Sequence, residues 1–485
     1  MLEWVQLVGQ ADRGGEGGRV GSAVSVVMKF GGTSVADADA IDRLIGIVRG
    51  HIGSSGAYPP VVVVSALAGV TDKLIEVARQ AEEGDGERAI ATLQALLDRH
   101  LTMAATVTVT SRVALLASVR AEFEELIGLV HALAVLREVS PRSLDAVLAA
   151  GELVSSRIVA SALVDHDIPS AWVDPRSVLV TDAEYMCAAP DMEATRRRSR
   201  ERIRPIIDAG QVPVLGGFLG ATPNGVTTTL GRGGSDYSAA IFGAALGARE
   251  IQIWTDVDGM LTADPRVVAQ AQLVPALSFA EASELAYFGA KVLHPSTILP
   301  AVDRNIPVRI LNSHRPDRPG TVITADGRRP DGALTAIACK RNVTVIDITS
   351  TRMLMAHGFL RRLFEVFERF KTAVDVVTTS EVTVSVTVDD TRRLDDIVDN
   401  LRHFADVGCE PEMAIISMVG ENLRSDPALF GRAVMALDRV ALRLVSQAAG
   451  RRNVTFVLRD ADVPAAMGRL HETFFEARAL TKARS

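Results

Sequence analysis

Cysteine is scarce. Cys187, Cys339 and Cys409 are scattered along 485 residues. They have neither the close spacing of a metal site nor the even number of a disulfide framework. This argues against a secreted scaffold and a zinc protein, and makes a reducing cytoplasm the default. Long apolar runs are missing too: none reaches the ~18 residues that a membrane span requires. The first 20 residues carry Glu3, Asp12 and Glu16 and no continuous apolar stretch, unlike a secretory signal or a clear transit peptide. Positive charge is not in excess, since 52 Lys and Arg against 59 Asp and Glu leave a net charge of −7. That disfavours broad nucleic-acid binding but leaves small anions open, because these need only a local positive pocket. What is present is the balance of a folded soluble chain, 48% hydrophobic and 23% charged, long enough for about three domains.

The chain divides by pattern. Residues 1–23 read as a leader in which Gly14, Gly15, Gly17, Gly18 and Gly21 crowd a short polar stretch. Val24–Phe30 is strand-like and is broken by Gly31-Gly32-Thr33-Ser34. Ile41, Leu44, Ile45 and Val48 then recur at helical spacing, and Val61–Val64 is a β-branched run of the kind buried on both faces of a parallel sheet. Strand, glycine loop, helix, strand opens an α/β domain. Residues 73–140 and 144–165 read as helices. Further strands are expected at Ala171–Val173, Val212–Leu215, Glu250–Trp254 and Ile306–Leu311, and Asn312–Arg329 reads as the domain's end and the start of a linker. The remainder repeats one order twice. Strand Val343–Thr349, a helix from Phe359, strands Val374–Val377 and Val382–Val388 and a helix from Leu394 form the first copy. Strand Ile415–Val419, helix Ala428–Leu437, strands Leu442–Val445 and Val454–Leu458 and a helix from Pro464 form the second.

Two glycine loops sit where strands give way to helices, and such loops let backbone amides approach an anion. The first is Lys29-Phe30-Gly31-Gly32-Thr33-Ser34, whose lysine adds a mobile point charge. An ordinary strand–turn–helix link explains it equally well in isolation. The second is Gly231-Arg232-Gly233-Gly234-Ser235-Asp236. It is neither a P-loop nor a dinucleotide fingerprint, and a tight turn with Asp236 capping its helix is the alternative. Trp254-Thr255-Asp256-Val257-Asp258 and Asp264-Pro265-Arg266 can hold a base, ribose or phosphate. Phe288–Pro295 adds Lys291, while His294, before a proline in an apolar setting, reads as packed rather than catalytic. Gly151-Glu152 places a helix-breaking glycine beside a carboxylate and suggests close packing or a ligand approach. Together, two lysines, two arginines and two glycine loops without a Walker lysine suit phosphoryl transfer, which needs positioning and charge neutralisation more than covalent chemistry.

These motifs resemble those of the aspartate kinases, in the amino-acid kinase superfamily. The resemblance runs from KFGGTSV (Lys29–Val35) through Ser65–Thr71, Gly151-Glu152, Thr227–Tyr237, Trp254–Asp258 and Asp264–Arg266 to Phe288–Pro295, in the family's order. It implies an open, mostly parallel α/β kinase domain over residues 24–325. Two ferredoxin-like ACT domains would follow at 334–411 and 412–478, with the leading strand of the first open to assignment to the second. It also implies transfer of a phosphoryl group from ATP, with Mg²⁺, to L-aspartate, giving 4-phospho-L-aspartate on the way to lysine, methionine and threonine. By position, Lys29, Asp236 and Lys291 would be catalytic, with Asp236 orienting Lys29. Thr71, Glu152, Arg232, Gly233, Gly234 and Ser235 would hold aspartate. Lys29, Phe30, Gly31, Gly32, Thr255, Asp256, Arg266, Lys291 and Val292 would hold ATP. Leu261 departs from the tyrosine common in relatives, so only a backbone contact would survive there.

In the regulatory half, Met353, Gly358, Phe359, Leu360, Asp375, Thr379, Ser380 and Glu381 resemble the lysine-sensing form of the first ACT domain, although Ala356 replaces a serine of some relatives. The glycine turn would bind an effector's carboxylate, and Asp375 and Glu381 its amines. A threonine or other effector remains open, as do a catalytically weak sensor and a kinase for another acid. The ACT pair implies a homodimer or larger assembly, and the length implies the single-function form, without a fused homoserine dehydrogenase. Lys29→Ala is expected to abolish turnover with little loss of stability.

Overall fold

The computed structural model describes residues 26–53, 58–289, 293, 295–327, 333–350, 357–447 and 451–476. The leader, Lys291, Val292, His294, Met353 and Ala356 lie outside the described residues. The first half runs β1 (Val26–Phe30), α1 (Ala38–Gly53), β2 (Val61–Val64), α2 (Val70–Glu82), α3 (Gly86–Val107), α4 (Arg112–Leu136), α5 (Pro141–Asp165) and β3 (Ser170–Val173). It continues with α6 (Met192–Arg202), α7 (Arg204–Asp208), β4 (Val212–Gly216), β5 (Leu219–Ala221), β6 (Thr227–Thr229), α8 (Gly234–Leu246) and β7 (Glu250–Thr255). Then come β8 (Ala276–Ser278), α9 (Phe279–Tyr287), α10 (Leu299–Val302), β9 (Val308–Asn312) and β10 (Thr321–Thr324).

Eight strands form one sheet in the order β3-β4-β2-β1-β7-β9-β10-β8, parallel except where β9 meets β10. The valine-rich strands are buried on both faces because alternate side chains face opposite layers. Met28, Phe30, Val62 and Val64 join the core made with α1–α5. Val27, Val61 and Val63 join the core made with α8 and the last strands. Helix α5 is long and apolar enough to cross a membrane, but 83% of its most apolar window is buried inside the protein. It is a core helix.

The second half runs β11 (Leu334–Thr349), α11 (Phe359–Arg369), β12 (Val377–Thr379), β13 (Thr383–Val388), α12 (Leu394–Arg402) and β14 (Asp406–Gly420). It closes with α13 (Pro427–Ala436), β15 (Leu442–Gln447), β16 (Asn453–Arg459) and α14 (Val463–His471). The repeated order is present, but the two copies share one antiparallel sheet, β12-β13-β11-β14-β16-β15. Strands β11 and β14 run through both. Leu334–Lys340 pairs with Ile415–Gly420, whereas Thr344–Thr349 pairs with β13 on one side and, from Val345, with Asp406–Glu410 on the other. The register shifts between the halves, where Asn342 (φ 57°) and Glu412 (φ 56°) take left-handed conformations.

Two expectations change. The stretch from Asn312 to Arg329 is not linker throughout, because Thr321–Thr324 is a strand of the main sheet. Helix α1 does not follow the first glycine loop directly, since a 3₁₀ turn, Gly32–Val35, comes between.

Candidate active site

Loops from the C-terminal ends of β1, β2, β4 and β7 meet on one side of the sheet. Chain order reverses at the β1/β7 pair: β2 lies on one side of β1 and β7 on the other. A crevice at such a switch point is where open α/β sheets bind ligands. Gly31 N–H donates to Trp254 O at 3.1 Å and Ser65 N–H to Phe30 O at 3.1 Å, tying the three loops together.

Lys29, at the end of β1, is only 9% exposed. Its Nζ lies 2.7 Å from Asp236 Oδ1, in the first turn of α8. The aspartate therefore does not cap its own helix; the cap is Gly233, left-handed at φ 71°, with no side-chain hydrogen bond. Gly234 is required by close approach, since a Cβ there would lie 2.5 Å from the Phe218 ring. Ser235 is buried and packs on Gly217, where a Cβ would meet Ser235 Cβ at 2.7 Å. Arg232 stands exposed at the loop's tip.

Glu152 is 3% exposed, and its Oε2 has no hydrogen-bond partner. Burial pushes its carboxyl up to about 8, against the opposing pull of the Ala66 amide, its own amide and the Lys29 charge. A buried carboxyl oxygen without a partner calls for an account, since such groups are normally paired. Gly151 brings α5 against the loop that follows β2, because a Cβ there would meet Ala66 Cβ at 2.9 Å. Ser155 Oγ donates to Ser65 O at 2.8 Å. Thr71, half-buried, lies in the first turn of α2 behind left-handed Gly69.

Thr255, the last residue of β7, and Asp256 after it open onto a cleft of about 410 Å³. Leu261, Asp264 and Arg266 line it, and Ala336–Cys339 of β11 form its far wall. Arg266 is exposed and turned onto Asp264 at 2.7 Å. Arg176 and Asp174 form the same Asp-Pro-Arg pair at 2.7 Å, so that geometry is local turn chemistry rather than a mark of phosphate binding. Among the described residues no group of three or more His, Cys, Asp or Glu is placed to hold a metal ion.

The amino acid kinase family matches residues 25–312, more than half the chain, and an ACT domain matches 416–474. Aspartokinase 3, chloroplastic, of Arabidopsis thaliana is 38% identical, over 93% of this chain and 82% of that protein. Lysine-sensitive aspartokinase 3 of Escherichia coli K12 is 35% identical, over 93% and 99%. The chain belongs to the aspartokinases. Among solved structures, E. coli aspartokinase III in complex with aspartate and ADP, described as the R-state, matches with a TM-score of 0.79 and 34% identity. That match covers 93% of this chain and all of the other. The same enzyme with lysine and aspartate, described as the T-state, gives the same TM-score.

In this aspartokinase the residues named for an effector are only partly gathered. Gly358 (φ 84°) caps α11, where Phe359 is half-buried and Leu360 exposed. Ser380 and exposed Glu381 sit in the turn after Thr379. Asp375 lies at the other end of β12, with about 13 Å of extended chain between it and Thr379. Its carboxylate is taken by Lys340, Nζ to Oδ1 at 2.7 Å.

Three positions went unassigned in the sequence. Ser34 Oγ donates to Ser313 Oγ at 2.8 Å, and Ser313 Oγ donates to Thr255 O at 3.1 Å, which clamps the loops of β1 and β9 onto β7. Buried Asp145 accepts from Met186 N–H, Thr229 N–H and Thr229 Oγ1, and so fixes β6 ahead of the arginine loop. Ser34 lies inside a quoted motif and was within reach. Ser313 and Asp145 have no sequence signal.

Proposed function

We infer that this aspartokinase transfers the γ-phosphoryl group of ATP to the β-carboxylate of L-aspartate. A carboxylate oxygen forms the new bond to phosphorus, the bond to the β,γ-bridging oxygen breaks, and ADP leaves with the electron pair. The acceptor is already anionic, so no proton is removed by a base. The barrier is the approach of two anions. Lys29, oriented by Asp236, would stand against the transferring group, with the Gly31–Gly32 amides beside it. Arg232 would pair a substrate carboxylate and Glu152 the α-ammonium, with Thr71 and the Gly233–Ser235 loop completing the contacts. Thr255, Asp256, Arg266, Lys291 and Val292 would face the nucleotide. The observation that supports this most directly is the Lys29–Asp236 ion pair in the β1/β7 crevice.

Mg²⁺ would arrive with ATP. The described residues offer no protein cage, which fits an ion that keeps phosphate oxygens and water as most of its ligands. Lysine is the effector favoured by the residues around Gly358 and by similarity to a lysine-sensitive relative. A homodimer or larger assembly, and a cytoplasmic setting for three free cysteines, complete the proposal. The test is a hydroxamate assay of aspartate-dependent ATP use, titrated with lysine, threonine and methionine. Turnover with glutamate but not aspartate, or none with either, would refute the reading.

A further inference from the structure

The segment that frames the cleft beside Thr255 is built onto the second regulatory copy. Thr262 is its fastening point, and all its polar groups are engaged. Its N–H donates to Gln272 O at 2.8 Å, and its carbonyl accepts from Ile337 N–H of β11 at 2.8 Å. Its Oγ1 accepts from Gln272 N–H at 2.9 Å and lies 2.9 Å from His471 Nε2, at the end of α14. Both Thr262 (6% exposed) and His471 (0%) are buried. His471 Nδ1 faces Glu476 Oε1 at 3.1 Å. Nδ1 is thus taken by Glu476, and Nε2 is left to pair with the Thr262 hydroxyl, which can either donate or accept. The neighbours of Thr262 follow it: Ala263 and Val268 are buried in the same apolar core as Leu470 and Phe474. Leu261, one residue before, and Ala263 and Asp264, just after, line the cleft, and Ala336–Cys339 close it.

We propose that His471 is a positioning residue for nucleotide binding. Through Thr262 it holds the 261–266 segment in the shape that frames the cleft, which makes the second regulatory copy a structural part of the ATP site. The proposal rests on reading that cleft as the nucleotide site. In the full-length protein, His471→Ala frees the Thr262 hydroxyl and should raise the KM for ATP about ten-fold. The kcat at saturating ATP and the KM for aspartate should stay within about two-fold. His471→Gln, whose side-chain amide can pair with the same hydroxyl as donor or acceptor, should recover most of the affinity. Thr262→Val keeps both backbone bonds and leaves α14 untouched, and should reproduce the defect if His471→Ala folds poorly. Leu261→Trp fills the cleft and tests its assignment independently. If it leaves the KM for ATP unchanged, the cleft does not hold nucleotide and the proposal falls with that reading. If it raises the KM for ATP while His471→Ala and Thr262→Val do not, the cleft stands and the positioning role falls. Parallel losses in kcat and both KM values would also overturn it, since that pattern reports general damage.

Discussion

Two residues at the crevice make opposite demands on their surroundings. Lys29 is charged and already matched, being 11% exposed at its side chain and facing an Asp236 that is 15% exposed. Truncating it leaves a largely buried carboxylate without its cation. The expectation that Lys29→Ala spares stability therefore gives way to a loss of about 3 kcal/mol, the lower end for breaking a buried pair. Turnover should fall at least about 10²–10³-fold. Lys29→Ala combined with Asp236→Asn should regain most of the stability and none of the activity, and urea unfolding beside the hydroxamate assay separates the two. Glu152 is the reverse, a buried carboxyl whose Oε2 has no hydrogen-bond partner. Burial raises it from its ordinary 4.5 to about 8, so the folded, substrate-free protein keeps a proton that the unfolded chain has lost. Its stability should fall as pH rises through that window. Aspartate's α-ammonium would favour the ionised form, so binding should release a proton below about pH 8. Titration calorimetry in buffers of different ionisation heat detects that release, and the KM for aspartate should drop as pH climbs towards 8. Glu152→Gln should raise that KM and flatten its pH dependence. A flat wild-type profile would remove Glu152 from the substrate's amine.

Elements differ in how much of their placement their own residues announce. Gly46 and Gly151 both interrupt helices, and only Gly151 is read from the sequence as a close approach. A Cβ at exposed Gly46 meets nothing within 4 Å, whereas one at Gly151 meets Ala66 Cβ at 2.9 Å and Val70 Cγ1 at 3.3 Å. Gly46→Ala should stabilise by about 0.5–1 kcal/mol, the ordinary helix gain. Gly151→Ala should lose that gain to a shift of α5 against the Ser65–Thr71 loop, and the KM for aspartate should rise. Thermal melts and initial rates check both. The buried parallel strands were legible because Val61–Val64 has no solvent face to satisfy. The first half of β14 was not: Asp406–Pro411 carries Asp406, Glu410 and a proline, and forms a strand only because β11 offers it a long partner. Thr321–Thr324 was likewise lost in a stretch rich in proline and glycine, and the hairpin of β5 with β6 has strands of three residues. At the candidate site, charge types and glycine turns could be read locally. The tie between Thr262 and His471, 209 residues apart, could not, because nothing local distinguishes His471 from any helical histidine.

The molecule as a whole is less divided than its sequence suggests. One apolar core extends from Val27 and Ile253 of the kinase sheet to Ala336, Val345, Val376 and Ile415 of the regulatory sheet. The two halves are thus joined by packed side chains as well as by the chain that connects them. Lys340, on β11, stands at this junction. Its Nζ lies 2.7 Å from Asp375 and 3.0 Å from Asp389, and it sits 4.9 Å over the ring of Tyr287, the last residue of kinase helix α9. The Asp375 side chain is only 2% exposed, and Lys340 occupies its Oδ1, so an effector ammonium aimed at that oxygen would compete with Lys340. If lysine pairs with Asp375, its binding would be an exchange of one cation for another, and its affinity would be lowered by the cost of expelling the resident one. Lys340→Met removes the competitor while keeping the apolar stem against Tyr287. Its melting temperature without lysine should fall, because Asp375 is left buried without a cation. Saturating lysine should restore most of that loss, since a ligand bound only to the folded state stabilises it. The lysine concentration for half-inhibition should drop about ten-fold or more, with kcat in the absence of lysine little changed. Weaker inhibition would mean that Lys340 helps to form the effector site. Inhibition that persists unchanged would mean that lysine acts elsewhere than at Asp375.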